Sequence, residues 1–295
     1  MAFARTNGKK IYAEIDDLIF TPEYPAEYST YGGTISRSQF NNLSIDYILR
    51  IETMNYSDEV IVSTKALAEH CMNALDDPNK PIHILPNLPL ESLCDMGGRY
   101  EEMIDEKFNK DELNIILTSG TLSHKQILNE TIFPVLRRIL EKYQHLIIST
   151  IGHITLPSYF NQFQERIISI PFTDYDSYLN SLSQGNIALV PLEKHATTDG
   201  KSAIKWMEAS YCGVPCICSP VRAYTDVTED GQDVFIAKNA EQWEQMISHL
   251  IDQTKTRREL TNNAFKSAKQ QFNNSVGIDF WKNILKKEDE SDLNT

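Results

Sequence analysis

The chain has 295 residues, 41% apolar and 23% charged, with a formal net charge of -13. That length and mix predict two globular domains with real cores. The acidic balance argues against nucleic-acid binding, which needs clustered Lys and Arg, but leaves room for an anionic small ligand at a locally positive site. The five cysteines, Cys71, Cys94, Cys212, Cys216 and Cys218, are odd in number and lack zinc spacing. They read as structural thiols of a reducing compartment, which predicts a cytoplasmic protein. The first residues lack the apolar segment of a signal peptide, and no run approaches the ~18 apolar residues of a membrane span.

In chain order, KKIYAEI (9–15) predicts a strand ending at Asp16 and Asp17, followed by a Pro- and Gly-bearing loop. A helix is expected around 38–57, a strand over 59–64, a helix over 65–75 and a strand over 82–87. Residues 88–110 read as a connector, with Gly97–Gly98 in the middle. They place the boundary between an N-terminal domain (1–100) and a second domain (110–272). There, strands are expected at 113–120, 145–152, 165–171, 186–192, 214–219 and 233–238. A long helix from Lys125 to Tyr143 is expected to bend at Pro134. A helical tail runs from Ala240 to Lys287 with breaks near Asp252 and Asn273. It includes the C-terminal segment 273–295, whose last ten residues are expected to be disordered. Apolar strands alternating with helices predict an α/β fold with parallel sheets, whose ligands bind beyond the carboxyl ends of the strands.

One stretch at such a position carries the strongest chemical signal: DGKSAIKWMEASYCGVPCICSP, 199–220. Thr197, Thr198 and Asp199 are candidate N-caps, with Gly213 and Pro215 as the stop. At ~100° per residue, Lys201, Lys205 and Glu208 fall within about 60° of one another on a helix. Ile204, Met207 and Tyr211 form the neighbouring apolar stripe. A helix N-terminus with Lys201 and Ser202 suits a phosphate, and Glu208 suits the vicinal hydroxyls of a sugar. A solvated helix face with a Lys205–Glu208 pair is the competing reading, and the residues alone leave both open. Asp16 and Asp17 suit either a turn or a contact to a substrate hydroxyl. His124 and His195 lie in ligand-end loops, and the histidines offer no metal spacing, so no metal is expected.

The pattern K-S-x-x-K-x-x-E-A-x-x-x-G-V-P-x-x-x-S-P, with IALVPLE before it, TSGTLSHKQ (118–126), SIPFTDYDSYL (169–179) and WEQMISHLIDQTKTRREL after it, resembles the donor domain of group 1 (family 4) glycosyltransferases of the GT-B fold. The likeness is strongest to the bacterial type that builds surface polysaccharides such as O-antigen or capsule. It covers most of the chain, strongly from about 113 to 272. It implies two Rossmann-like domains, the N-terminal one short because the chain opens close to KKIYAEIDD. It also implies a hexosyltransferase, retaining and metal-independent, with a nucleotide-sugar donor as substrate and no cofactor. The implied acceptor is a glycan or lipid-linked saccharide, with peripheral membrane association at the inner face left open.

By the same resemblance, Glu208 is the second glutamate of the E-x7-E motif and binds the ribose. Lys201 and Ser202 lie at the diphosphate, Gly120 and Thr121 form the glycine turn, and Phe172 and Thr173 lie beside the base. Lys125 is the cation near that turn, and Lys205 contacts the nucleotide or braces Glu208. The first glutamate of the motif falls at Gly200, so its role passes to Asp199, with Asp16 and Asp17 as acceptor-side catalytic candidates. The alternatives are a degenerate, non-catalytic subunit and a sugar-nucleotide epimerase.

Overall fold

Short runs of Val and Ile organise the chain into two parallel sheets. The computed structural model describes residues 2–25, 27–31, 33–108, 112–120 and 124–292. After α1 (Ala2–Thr6), β1 (Tyr12–Ile15) leads through a long loop to α2 (Arg37–Tyr56), β2 (Glu59–Val62), α3 (Lys65–Ala74) and β3 (Ile82–Ile84). The three strands pair in the order β1-β2-β3, all parallel. Ser36 closes a capping box with Gln39 at the start of α2, and the Thr64 hydroxyl accepts from Leu67 N–H at the start of α3. Val60, Val62, Leu67, Met54, Leu18 and Phe20 form the buried core of this unit.

The expected connector is instead a helix, α4 (Glu91–Lys107). Leu93, Met96 and Tyr100 recur on one face and are buried, and that helical spacing outweighs the two glycines. Gly97 is there for closeness: a Cβ would lie 2.9 Å from the Tyr211 ring.

The larger sheet begins at β4 (Leu113–Ser119) and continues through α5 (Lys125–Ile127), a π turn (Leu128–Ile132), α6 (Phe133–Lys142), β5 (Leu146–Gly152), β6 (Ile167–Ile170), α7 (Tyr175–Ser183) and β7 (Ile187–Val190). The π turn, just before the Pro134 that lacks an N–H, takes the place of the expected bend. Next come α8 (Ala196–Asp199), α9 (Ile204–Tyr211), β8 (Cys216–Cys218), α10 (Arg222–Thr225), β9 (Phe235–Ile236), α11 (Ala240–Asp252), α12 (Thr254–Gln271) and α13 (Asn274–Asp292).

All six strands are parallel, in the order β6-β5-β4-β7-β8-β9. The sheet therefore winds outward in both directions from β4 and β7, and a crevice opens between such strands at their carboxyl ends. One face is covered by α4, α7, α9 and α12 around Trp206, the other by α6 and α11 around Trp243. Cys216 and Cys218 point into the first core, and all five thiols are unpaired. The final helix, α13, returns to the small sheet, where Trp281 packs edge-on to Tyr12 and Phe280 to His83. It stays helical to Asp292, past the point where the sequence predicts disorder. Among the described residues no helix is long and apolar enough to cross a membrane.

Candidate functional site

At their carboxyl ends β4 and β5 lie side by side, next to the switch point between β4 and β7. His153 N–H donates to the Ser119 carbonyl at 2.8 Å, and Gly152 makes that approach possible. Its φ is +89°, and a Cβ would sit 2.2 Å from the Ser119 oxygen. Beyond this junction is a cleft of about 310 Å3 lined by the ends of β4 and β5 and by side chains of α7 and α9. Gly120 borders it, and among the described residues no atom lies within 4 Å of where its Cβ would be.

Glu208 lies against this cleft with only 6% of its surface exposed. The Tyr178 hydroxyl donates to its Oε2 at 2.8 Å, and Tyr175 is a second hydroxyl partner. Burial pushes the carboxyl above its usual range, while the two tyrosines and Lys205 hold it back. Lys205 also faces the cleft, and its Nζ donates to the Thr118 carbonyl at 2.8 Å. Burial, helped by Lys201, lowers its ammonium to about 8. It is still charged at neutral pH, and an ammonium has three donors, so the Thr118 bond leaves capacity for an anion. Phe172, 66% exposed and stacked on His153 with centroids 5.5 Å apart, forms the outer wall with Thr173.

The helix expected across 199–212 is in fact two pieces. The Thr198 hydroxyl bonds the carbonyls of Glu193 and His195 at the N-terminal end of α8, which is a single turn. The chain then breaks, and α9 starts only after Ala203. Lys201 thus lies between helices rather than in a first turn, and the expected charged row does not form. Lys205 and Glu208 instead turn inward, while Ile204, expected in the apolar stripe, is 41% exposed at the cleft. The stop does form as expected: Val214 N–H bonds the Ala209 carbonyl and Gly213 N–H that of Ser210, with Gly213 at φ +66°.

The other predicted residues separate into distinct places. Lys201 pairs with Asp17 at 3.6 Å, joining the two sheets beside a 70 Å3 cavity. Burial raises the Asp17 carboxyl, Lys201 opposes this, and adjacent Asp16 adds to it. Asp16 is exposed, and its carbonyl accepts from the Ser63 hydroxyl. Gly200 packs at the contact between units, where a Cβ would lie 3.1 Å from the side chains of Leu18 and Leu67, and its carbonyl accepts from the Thr64 hydroxyl. Asp199 accepts from Arg222 N–H at 3.1 Å, and Ser202 accepts from Asn87 at 2.9 Å. Both border a separate 350 Å3 cavity between the units rather than the cleft. Lys125 opens α5 and is not among the residues lining the cleft. Thr121 lies outside the described residues. The cleft therefore gathers Gly120, Phe172, Thr173, Lys205 and Glu208.

The pattern of the glycosyl transferases group 1 matches residues 100–267, more than half of the chain, and spans this cleft. The chain belongs to that family. Its fold is also that of solved GT-B glycosyltransferases. It is similar to Alr3699/HepE of Anabaena, solved with UDP and glucose, at TM-score 0.63 and 12% identity, covering 95% of this chain and 73% of that one. WaaG, a glycosyltransferase involved in lipopolysaccharide biosynthesis, aligns at TM-score 0.57 and 13% identity, covering 92% and 76%. TarM of S. aureus aligns at 0.63 and 14%, covering 96% of this chain and 53% of that one, so the chain spans about half of TarM's length. A comparison with curated protein sequences finds no match.

Some side-chain pairings escape sequence reasoning. Tyr175 and Tyr178, one helical turn apart, were legible only as helix residues, although their spacing puts both hydroxyls on one side. His124, at φ +69°, holds Glu193 through Nδ1 at 2.6 Å, and the same carboxylate accepts from Ile127 N–H at 3.2 Å. These pairs join distant segments, and no local spacing announces them. Among the described residues no three His, Cys, Asp or Glu side chains group as a metal site would.

Proposed function

We propose that the protein transfers a sugar from a nucleoside-diphosphate sugar to a saccharide acceptor, glycan or lipid-linked, without a metal. The single observation that carries this reading is Glu208: a nearly buried carboxylate held by tyrosine hydroxyls in the cleft that Gly120 borders. It is poised to accept from vicinal ribose hydroxyls, with the exposed Phe172 ring available to the base and Lys205 to the diphosphate. When the bond from the anomeric carbon to the diphosphate breaks, negative charge grows on the leaving group, and a fixed ammonium at that place lowers the barrier. The UDP and glucose in the similar HepE structure support a sugar-nucleotide donor. WaaG's part in lipopolysaccharide biosynthesis supports a surface-polysaccharide role. Retention at the anomeric carbon is what the family resemblance implies.

The test is titration of UDP, GDP and ADP against wild type and Glu208→Ala. At least one nucleotide is expected to bind wild type and to lose at least tenfold in the variant. Binding of none of them to wild type sinks the reading. One observation favours a non-catalytic subunit: Asp199 faces away from the cleft, and Gly200 supplies no carboxylate. Turnover of a bound donor, to acceptor or to water, separates the two readings.

A further inference from the structure

The sheet of the small unit ends at β1, whose one strand neighbour among the described residues is β2. The Ile11 carbonyl accepts from the N–H groups of Asp58 and Glu59, at 2.8 and 3.3 Å, on the β2 side. Backbone N–H and C=O groups alternate sides along a strand. Ala13 and Ile15 therefore bond toward β2 as Ile11 does, while Tyr12 and Glu14 direct their groups to the open side. A bare edge of this kind is a template for another strand.

We propose that β1 pairs antiparallel with β1 of a second copy of this chain, across a two-fold axis at Ala13, doubling the small sheet. The edge is self-complementary: KKIYAEIDD (9–17) is its own counterpart about Ala13. In that register Lys9 and Lys10 meet the partner's Asp17 and the partner's Asp16. Ile11 meets the partner's Ile15, and Tyr12 meets the partner's Glu14. Tyr12 and Glu14 are then the residues that exchange backbone bonds, in agreement with the side to which their groups point. A slip of two residues one way sets Glu14 against the partner's Glu14. The opposite slip sets Lys9 against the partner's Ile15 and Asp16 against the partner's Gly8. Charges usually guard an edge by repelling a copy, but in this register they attract it. Lys10 also pairs with Glu59, and Asp17 with Lys201. An ammonium has three donors and a carboxylate two oxygens, so each can hold the partner as well.

The last helix supplies a second, independent observation. Phe280 of α13 packs on His83 and Ile284 is buried, while Ile278, Trp281 and Leu285 share another side of the helix and are exposed. Trp281 packs edge-on to Tyr12, which puts this apolar stripe beside the open edge. A two-fold axis at Ala13, next to Tyr12, sets the stripe beside the same stripe of the partner. One isologous contact thus covers both the bare backbone and the exposed side chains. A short strand with one helix stripe lies at the small end of stable interfaces, which sets the expected dissociation constant in the micromolar range.

Sedimentation velocity of the full chain from about 1 to about 200 μM is expected to show a monomer–dimer equilibrium that salt weakens. Glu14→Pro removes an N–H on the open side and leaves the bonds to β2 in place. Leu285→Glu puts a charge into the stripe. Each variant should weaken the dimer by about tenfold or more while keeping the circular dichroism of wild type. Cross-linking reads the register. In an antiparallel non-hydrogen-bonded pair the two Ala13 Cα atoms lie about 4.5 Å apart, within the about 4.4–6.8 Å that a disulfide spans. With oxidised glutathione, Ala13→Cys should give a reducible dimer above the wild-type background, and Glu14→Cys should not. A wild type that stays monomeric over the whole range overturns the proposal. So does a dimer indifferent to both Glu14→Pro and Leu285→Glu, or Glu14→Cys linking as readily as Ala13→Cys.

Discussion

Lys205→Met separates the part of this lysine that serves a ligand from the part that serves the fold. In the folded protein the ammonium is lowered from its ordinary 10.5 to about 8. Below pH 8 both folded and unfolded chains carry the charge, and the fold bears the full cost of burying it, about 3 kcal/mol. Between 8 and 10.5 the unfolded chain binds more protons than the folded one, so stability rises with pH across that window. Methionine removes the charge but leaves the Thr118 carbonyl without its donor, a loss of about 1 kcal/mol. The variant is therefore expected to be about 2 kcal/mol more stable than wild type at pH 7. The gain should shrink to nothing near pH 10. Urea unfolding of both proteins at pH 7, 8.5 and 10 measures this, and nucleotide titration on the same samples should show a loss of tenfold or more. A destabilised variant at pH 7, or a gain that does not change with pH, would refute the reasoning. A stability gain with nucleotide affinity intact would leave Lys205 as a buried charge without a ligand role.

In wild type, nucleoside-diphosphate affinity should weaken as pH rises through about 8, since neutral Lys205 no longer attracts the anion; calorimetry should show a flat profile in Lys205→Met over the same range. Restoring the family's glutamate with Gly200→Glu should not rescue activity but lower the melting temperature, by the equivalent of roughly 2–4 kcal/mol, because the side chain starts 3.1 Å from Leu18 and Leu67. A variant as stable as wild type would mean that the two units separate there at little cost. Gly213→Ala, at φ +66° with its new Cβ 2.1 Å from the Tyr100 ring, should cost more than about 2 kcal/mol, and near-wild-type denaturation would refute the packing of α4 on α9.

The elements were largely legible because their signals are local. Ile-rich runs marked β4, β5 and β7, Gly213 with Pro215 marked the end of α9, and Asp252 and Asn273 marked the breaks among the last three helices. The errors fall where distant contacts override local preference. Gly97 and Gly98 look like a linker, yet α4 needs a residue without a side chain to lie against Tyr211. Thr198 looks like one helix cap among three, yet it lies inside a separate turn, α8, with its hydroxyl bonded to two carbonyls upstream. That turn removed Lys201 from the helix row and took Asp199 away from the cleft.

Sequence alone determined the kind of protein: alternating apolar strands and helices dictate a parallel sheet, and the residues of 199–220, with their upstream partners, carry the family resemblance. It also located Glu208 at the ligand end, since that depends only on strand order and helical spacing. Tertiary structure decided what surrounds Glu208. Its burial, its two tyrosine partners and the lowered ammonium of Lys205 arise from segments some 30 and 87 residues apart in the chain. Solvent exclusion and hydrogen bonding between such segments have no local signature, because they exist only once α7, α9 and the end of β4 have packed together.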